Sequence, residues 1–125
     1  MRILDFTIGT DIERISRFAK YSQTPSDSFL KRIYTQDEIN YCFSHKNTEQ
    51  HLAVRFSAKE AVYKALSGIG ITDVHYCDIE IKNDERGVPY VKLLTEEYDN
   101  LIFKLSMSHG NGNSLASVIV MKVDK

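Results

Sequence analysis

The sequence predicts one α+β domain across its 125 residues, with helices concentrated in the first half and strands in the second. Three observations carry this. Residues 49–66 are rich in Ala, Leu, Lys and Glu, the composition of a long central helix. From Tyr76 onward the periodicity changes to two, with Cys77, Ile79 and Ile81 alternating with Asp78, Glu80 and Lys82. Turn-forming residues at 83–87 and 110–113 then fold the second half into antiparallel pairs.

Taken in order, Ile3 to Ile8 reads as a strand, with Leu4, Phe6 and Ile8 on one apolar face. Gly9-Thr10-Asp11 ends it, and Asp11 stands as the N-cap of a helix over Ile12–Tyr21. Glu13 falls in the first turn of that helix, where a carboxylate suits the dipole. Ile12, Ile15 and Phe18 form its apolar face, leaving Arg14, Arg17 and Lys20 mostly on the others. Residues 22–28, with Pro25, form a loop, followed by a short helix over Phe29–Ile33. Thr35 and Glu38 match a capping box that starts a helix over Gln36–Phe43. The long helix spans Glu49–Leu66 and stops at Gly68. A hairpin follows, with Pro89 placing its second strand at an edge. A short helix over Thr95–Leu101 precedes the last strand pair, Phe103–Ser108 and Leu115–Val123, joined at Gly110-Asn111-Gly112-Asn113.

Composition narrows the function. The chain is 42% hydrophobic and 26% charged, a globular balance large enough for one core. Sixteen basic and 17 acidic residues give a net charge of −1, which excludes a strongly basic nucleic-acid binder. No apolar run approaches the roughly 20 residues that span a bilayer, and no secretory leader is evident, so a cytoplasmic, non-membrane protein is expected. Two cysteines, Cys42 and Cys77, are too few for a disulfide framework or a zinc site. They read as a helix-face and a strand-core residue. Charge is uneven, however: residues 14–32 hold Arg14, Arg17, Lys20, Lys31 and Arg32 against Asp27 alone. Such a patch suits an acidic partner or a phosphorylated ligand by electrostatic steering, or it is a solvated face.

Three segments place polar residues among apolar ones. Asp11 ends the first strand. Arg55, Lys59, Glu60 and Lys64 share the long helix, with Glu60 and Lys64 on one face by i, i+4 spacing. His109 follows Ser106-Met107-Ser108 at the end of a strand. Each has an ordinary structural reading: a cap, an exposed ion pair, a structural histidine. Together, carboxylates and cations of this kind suit a divalent metal holding phosphate groups. The residue types alone do not say that Asp11 and Glu60 meet.

The motifs supply that link by resemblance. Gly9-Thr10-Asp11-Ile12, Arg55-Phe56-Ser57-Ala58-Lys59-Glu60-Ala61 with Lys64-Ala65, and Ser106-Met107-Ser108-His109 resemble the short bacterial-type 4′-phosphopantetheinyl transferases, the holo-(acyl-carrier-protein) synthases. The similarity covers nearly the whole chain, and further matches are Ile33 to Glu38, Ser67 to Ile71, Asp78 to Ile81 and Gly87 to Tyr90. Ser67 before the glycine segment and the Asn111-Gly112-Asn113 loop depart from the usual pattern.

The resemblance implies a 4′-phosphopantetheinyl transferase-like fold: one domain over 1–125, a small antiparallel sheet packed with helices, and one long central helix. It implies an enzyme that uses coenzyme A and Mg²⁺ to move the 4′-phosphopantetheine arm onto a serine of apo acyl carrier protein. Adenosine 3′,5′-bisphosphate is released. Asp11 and Glu60 match the metal-ligand positions, with Glu60 and Lys64 implied in catalysis and Lys64 on the phosphates. Arg55, Lys59 and His109 are implied in binding the nucleotide portion. The base that takes the serine proton is left open between Glu60 and a metal-bound water. Arg17, with Arg14, Lys20 and Arg32, is implied in docking the acidic carrier protein, which makes docking the better reading of the basic patch. A homotrimer with clefts between subunits is implied, and one copy of the domain points to fatty acid biosynthesis rather than to polyketide or peptide synthases. A non-catalytic trimer that binds nucleotide or carrier protein is the alternative from another class.

Overall fold

Gly9 determines how the first strand meets the long helix. In the computed structural model, which describes residues 1–124, strand β1 (Ile3–Arg14) does not break at Gly9-Thr10-Asp11. It continues because strand β5 (Asn113–Val123) pairs with it antiparallel from Ile3↔Val123 to Arg14↔Asn113, with Asp11 opposite Ala116. Asp11 is therefore a strand residue and not a helix cap. The expected helix over 12–21 contracts to a 3₁₀ turn, Ile15–Tyr21, that buries Phe18.

Strand β4 (Leu101–Gly110) lies on the other side of β5, giving a three-stranded sheet in the order β1-β5-β4. The β4–β5 turn carries Asn111 at φ 53 and Gly112 at φ 76, the two positive φ values of a type I′ turn. Strands β2 (Ile79–Asn83) and β3 (Pro89–Leu93) form a separate antiparallel pair. The expected helix over 95–101 is a 3₁₀ turn, Glu96–Tyr98.

Helix α3 (Thr48–Ser67) crosses the inner face of the sheet. A Cβ on Gly9 would stand 1.9 Å from the Ala61 carbonyl oxygen and 3.0 Å from the Ala65 nitrogen, so strand backbone rests on helix backbone. Ala58, Ala61, Val62, Ala65 and Leu66 then pack against Ala116, Val118 and Val120 of β5 and Ile79 and Ile81 of β2. A second cluster joins Leu52, Ala53 and Phe56 of α3 to Phe18, Leu30, Tyr34, Ile39 and Cys42, under helices α1 (Ser28–Ile33) and α2 (Gln36–Phe43). The capping box of α2 forms as its sequence requires: Glu38 N–H donates to Thr35 Oγ1, and Thr35 N–H donates to Glu38 Oε1. Cys42 is in this core, whereas Cys77 is half-buried on the 3₁₀ turn Tyr76–Asp78. No helix among the described residues is long and apolar enough to cross a membrane.

The outer face of the sheet is apolar and uncovered. Phe6, Ile8 and Ile12 of β1 are 66%, 70% and 64% exposed, and Ile119 and Leu115 stand opposite Ile8 and Ile12 on β5.

Lys59 corrects one expectation. Its ammonium is fully buried and pairs with Glu38 at 2.7 Å. It also donates to the carbonyl oxygens of Tyr76 (2.9 Å) and Ile79. All three donors of the ammonium are thereby occupied, so Lys59 is not available to bind nucleotide phosphate. Burial pulls its pKa below the ordinary lysine value, and the Glu38 carboxylate opposes that shift. Glu38 also accepts from Ile81 N–H at 2.9 Å, so the pair ties α2, α3 and β2 together.

Two stability predictions follow from these contacts, both measured by urea unfolding at fixed protein concentration. Gly9→Ala forces a strand off a helix backbone and is expected to cost about 3 kcal/mol. Lys59→Met leaves the buried Glu38 carboxylate without its cation and is expected to cost about 3–5 kcal/mol.

Candidate active site

The close packing of β1 on α3 brings Asp11 to the side of the helix that carries Glu60 and Lys64. Lys64 Nζ donates to Asp11 Oδ1 at 3.0 Å and to the Thr10 carbonyl at 3.1 Å. The Asp11 carboxylate is buried, and its Oδ2 has no hydrogen-bond partner among the described residues. Lys64 is half exposed, with its head at the rim of this group. Glu60, one helical turn earlier, accepts a hydrogen bond at Oε1 from the Tyr76 hydroxyl.

Glu13 joins the cluster. Two residues beyond Asp11 on an extended strand, it lies on the same inward face, close enough for the two carboxylates to repel, and accepts from Arg17 Nη1 at 2.6 Å. Burial and the neighbouring Asp11 carboxylate push its pKa up to about 7, against the opposing charge of Arg17. Sequence reading missed Glu13 because it assigned a helix here. Period two carried past Gly9 would have paired Glu13 with Asp11. Tyr76 was missed as well, since nothing local marks a lone tyrosine 16 positions from Glu60.

This donor set fits a hard divalent cation. A buried carboxylate oxygen without a donor, with a second carboxylate nearby, supplies the oxygen ligands Mg²⁺ prefers. Among the described residues no three His, Cys, Asp or Glu side chains form a complete cage. A cation held here would need its other ligands from water or phosphate oxygens. Asp11 and Glu60 are the residues that could hold it.

Arg55 and His109 occupy a different cleft, of about 240 Å³, together with Gln50, His51, Asn83 and Pro89. Arg55 is buried; its Nη2 donates to Asn83 Oδ1 at 2.6 Å and its guanidinium lies 3.8 Å from the Tyr41 ring centroid. Its Nε–H has no acceptor among the described residues. His109 Nε2 is 3.2 Å from Gln50 Nε2. Burial lowers the His51 pKa, with the charges of His45, Arg55 and His109 adding to that. Arg55 and Glu60 are five positions apart on α3, about 140° around the helix. The chain thus holds the predicted site residues as two groups, Asp11–Glu60–Lys64 and Arg55–His109, on different faces.

Of the basic residues, Arg17 touches the acidic group, through Glu13. Arg14, Arg17 and Lys20 are exposed on the end of β1 and the 3₁₀ turn, and Arg32 is exposed on α1. Arg17 is partly committed, since it pairs with Glu13 and lies 5.3 Å from the Phe56 ring centroid. Lys20 lies 5.3 Å from the Tyr21 ring centroid.

The sequence profile of the 4′-phosphopantetheinyl transferase superfamily matches residues 7–117. A holo-(acyl-carrier-protein) synthase of Geobacter sp. (strain M21) is 40% identical over 121 residues, covering 90% of this chain and 94% of that protein. The fold is also similar to the crystal structure of a holo-(acyl-carrier-protein) synthase from Bacillus anthracis in complex with CoA (3′,5′-ADP). That match has a TM-score of 0.76 and 33% identity, over 94% of this chain and 96% of the other. The synthase of Helicobacter pylori in complex with coenzyme A gives a TM-score of 0.76 and 33% identity, over 90% and 98% of the two chains. With the motifs on the strand and helix they require and the fold shared nearly end to end, the chain belongs to the 4′-phosphopantetheinyl transferase superfamily, among its holo-(acyl-carrier-protein) synthases.

Proposed function

We propose that this chain transfers the 4′-phosphopantetheine arm of coenzyme A to a serine of apo acyl carrier protein, in fatty acid biosynthesis. In that reaction a serine Oγ–phosphorus bond forms as the pyrophosphate P–O bond breaks. Adenosine 3′,5′-bisphosphate leaves, and the serine loses its proton. The observation that carries the reading is the unpartnered Asp11 oxygen beside Lys64 and Glu60 in a chain of this family.

Asp11 and Glu60 are the residues that hold Mg²⁺ in this reading. When bound, the ion neutralises pyrophosphate charge and polarises the phosphorus under attack. Lys64 is oriented by Asp11 and the Thr10 carbonyl, so its ammonium is fixed at the rim, where it stabilises charge on the departing phosphate. Arg55 and His109 provide an anion-binding cleft for the nucleotide portion. In one protomer that cleft lies apart from Asp11. The exposed apolar face of β1 and β5 supports a homotrimer in which the outer sheet faces are buried and the two groups meet across subunits. Arg14, Arg17 and Lys20 dock the acidic carrier protein.

Mass spectrometry of apo acyl carrier protein incubated with the chain, coenzyme A and Mg²⁺ tests the reaction. One phosphopantetheine is expected to be gained, and the gain is expected to disappear with chelator, with Asp11→Ala and with Glu60→Ala. No gain despite bound coenzyme A and a folded trimer points to a binding-only protein. Arg14→Glu and Lys20→Glu test docking better than Arg17, which also holds Glu13. Each is expected to raise KM for carrier protein roughly 10-fold, the equivalent of about 1.4 kcal/mol. Coenzyme A binding is expected to stay unchanged.

A further inference from the structure

The proposed metal carboxylates are each held by one donor and left open at one oxygen. Asp11 gives Oδ1 to Lys64 and keeps Oδ2 open. Glu60 gives Oε1 to the Tyr76 hydroxyl, and among the described residues no hydrogen bond reaches its Oε2. Lys64 belongs to the motif that identified the family, whereas Tyr76 comes from the segment between α3 and β2 and belongs to none of the motifs.

Tyr76 is held at three points. Its ring lies 5.4 Å from the Tyr63 ring and 6.1 Å from the Phe56 ring, centroid to centroid. Its carbonyl accepts from Lys59 Nζ at 2.9 Å, and Lys59 is locked in turn by Glu38. The 3₁₀ turn that begins at Tyr76 is closed by Asp78 Oδ2, which accepts from His75 N–H. The hydroxyl is therefore the end of a rigid chain that starts at the buried Glu38–Lys59 pair. Lys59 and Glu60 are adjacent on α3, so the chain leaves the helix through one side chain and returns to it through the next.

We propose that Tyr76 is a positioning residue for Glu60: its hydroxyl fixes the rotamer of the carboxylate so that the other oxygen faces a divalent cation. Outer donors of this kind orient metal ligands, and their loss commonly lowers metal affinity or activity 10- to 100-fold. The proposal rests on Asp11 and Glu60 being the cation ligands. It assigns Lys59 its part in the site, through Tyr76 rather than through phosphate.

Tyr76→Phe keeps the ring and removes the hydroxyl. Mn²⁺ binding to the coenzyme A-loaded full chain, followed by electron paramagnetic resonance of free Mn²⁺, is compared for wild type, Tyr76→Phe, Tyr63→Phe and Asp11→Asn. Tyr76→Phe is expected to weaken Mn²⁺ binding about 10-fold. Its thermal midpoint is expected within about 3 °C of wild type, and its coenzyme A affinity without divalent cation unchanged. Tyr63→Phe, which touches the same ring but makes no hydrogen bond to Glu60, is expected to leave Mn²⁺ binding unchanged. An unchanged affinity in Tyr76→Phe beside a loss in Asp11→Asn overturns the role of Tyr76 and leaves the metal site standing. An equal loss in Tyr63→Phe overturns it too, by making the effect one of packing. No loss in Asp11→Asn, or no binding by wild type, overturns the metal-site reading and the proposal with it.

Discussion

The missing side chain at Gly9 lets a strand backbone lie directly on a helix backbone, and the rest of the site depends on that contact. Strand residues rise about 3.3 Å each, so Asp11 lies about 7 Å along from Gly9, on the same inward face. Ala61 and Ala65, the helix positions under Gly9, are each followed or preceded by the groups that matter: Glu60 and Lys64 are one residue earlier in each case. Any Cβ at position 9 would push the strand outward and carry the Asp11 carboxylate away from Lys64. The constraint is steric, but what it fixes is electrostatic: a buried carboxylate with the Lys64 ammonium on one oxygen, no hydrogen-bond partner on the other among the described residues, and the Glu13 carboxylate nearby.

A second constraint works through the buried Glu38–Lys59 pair. Such a pair is weak as a source of stability, because desolvation offsets much of its attraction. Here it joins three elements and sets the Tyr76 backbone against α3. A buried hydrogen-bonded network of this kind specifies one arrangement more than it adds stability. It explains why two consecutive charged residues on α3 have different fates: Lys59 points into the core and Glu60 toward the cluster.

Much of the fold was legible in the sequence, because its signals were local. The α2 capping box, the stop of α3 at Gly68 and the last strand pair appear where propensity and pattern put them, whereas Cys77 and Asp78, which alternate as strand residues in the sequence, lie on a 3₁₀ turn. Residues 9–14 lack such a local signal. Gly-Thr-Asp is locally a strand end followed by a cap, and only the pairing with β5, about 100 positions away, extends the strand. That one non-local fact turned Glu13 from a first-turn helix residue into a neighbour of Asp11. The motif identified Asp11, Glu60 and Lys64 as candidates, and the packing brings Asp11 to the side of α3 that carries them. It also nominated Lys59, whose burial next to Glu38 is invisible from spacing. Tyr76 carries no local signal at all, since its role depends on where a turn lands against the helix.

In the proposed trimer, one active site is assembled from the Asp11–Glu60–Lys64 group of one protomer and the partner subunit's Arg55 and His109. The most direct test is subunit complementation. Asp11→Ala and Arg55→Ala chains, each inactive alone, are unfolded, mixed in equal amounts and refolded together. Random reassembly into closed rings pairs an intact metal group with an intact nucleotide cleft at about a quarter of the interfaces. The account predicts that transfer to carrier protein returns to about that fraction of the wild-type rate, a share set by pairing in a symmetric assembly. Mixed trimers that form but show no transfer would contradict a site shared between subunits.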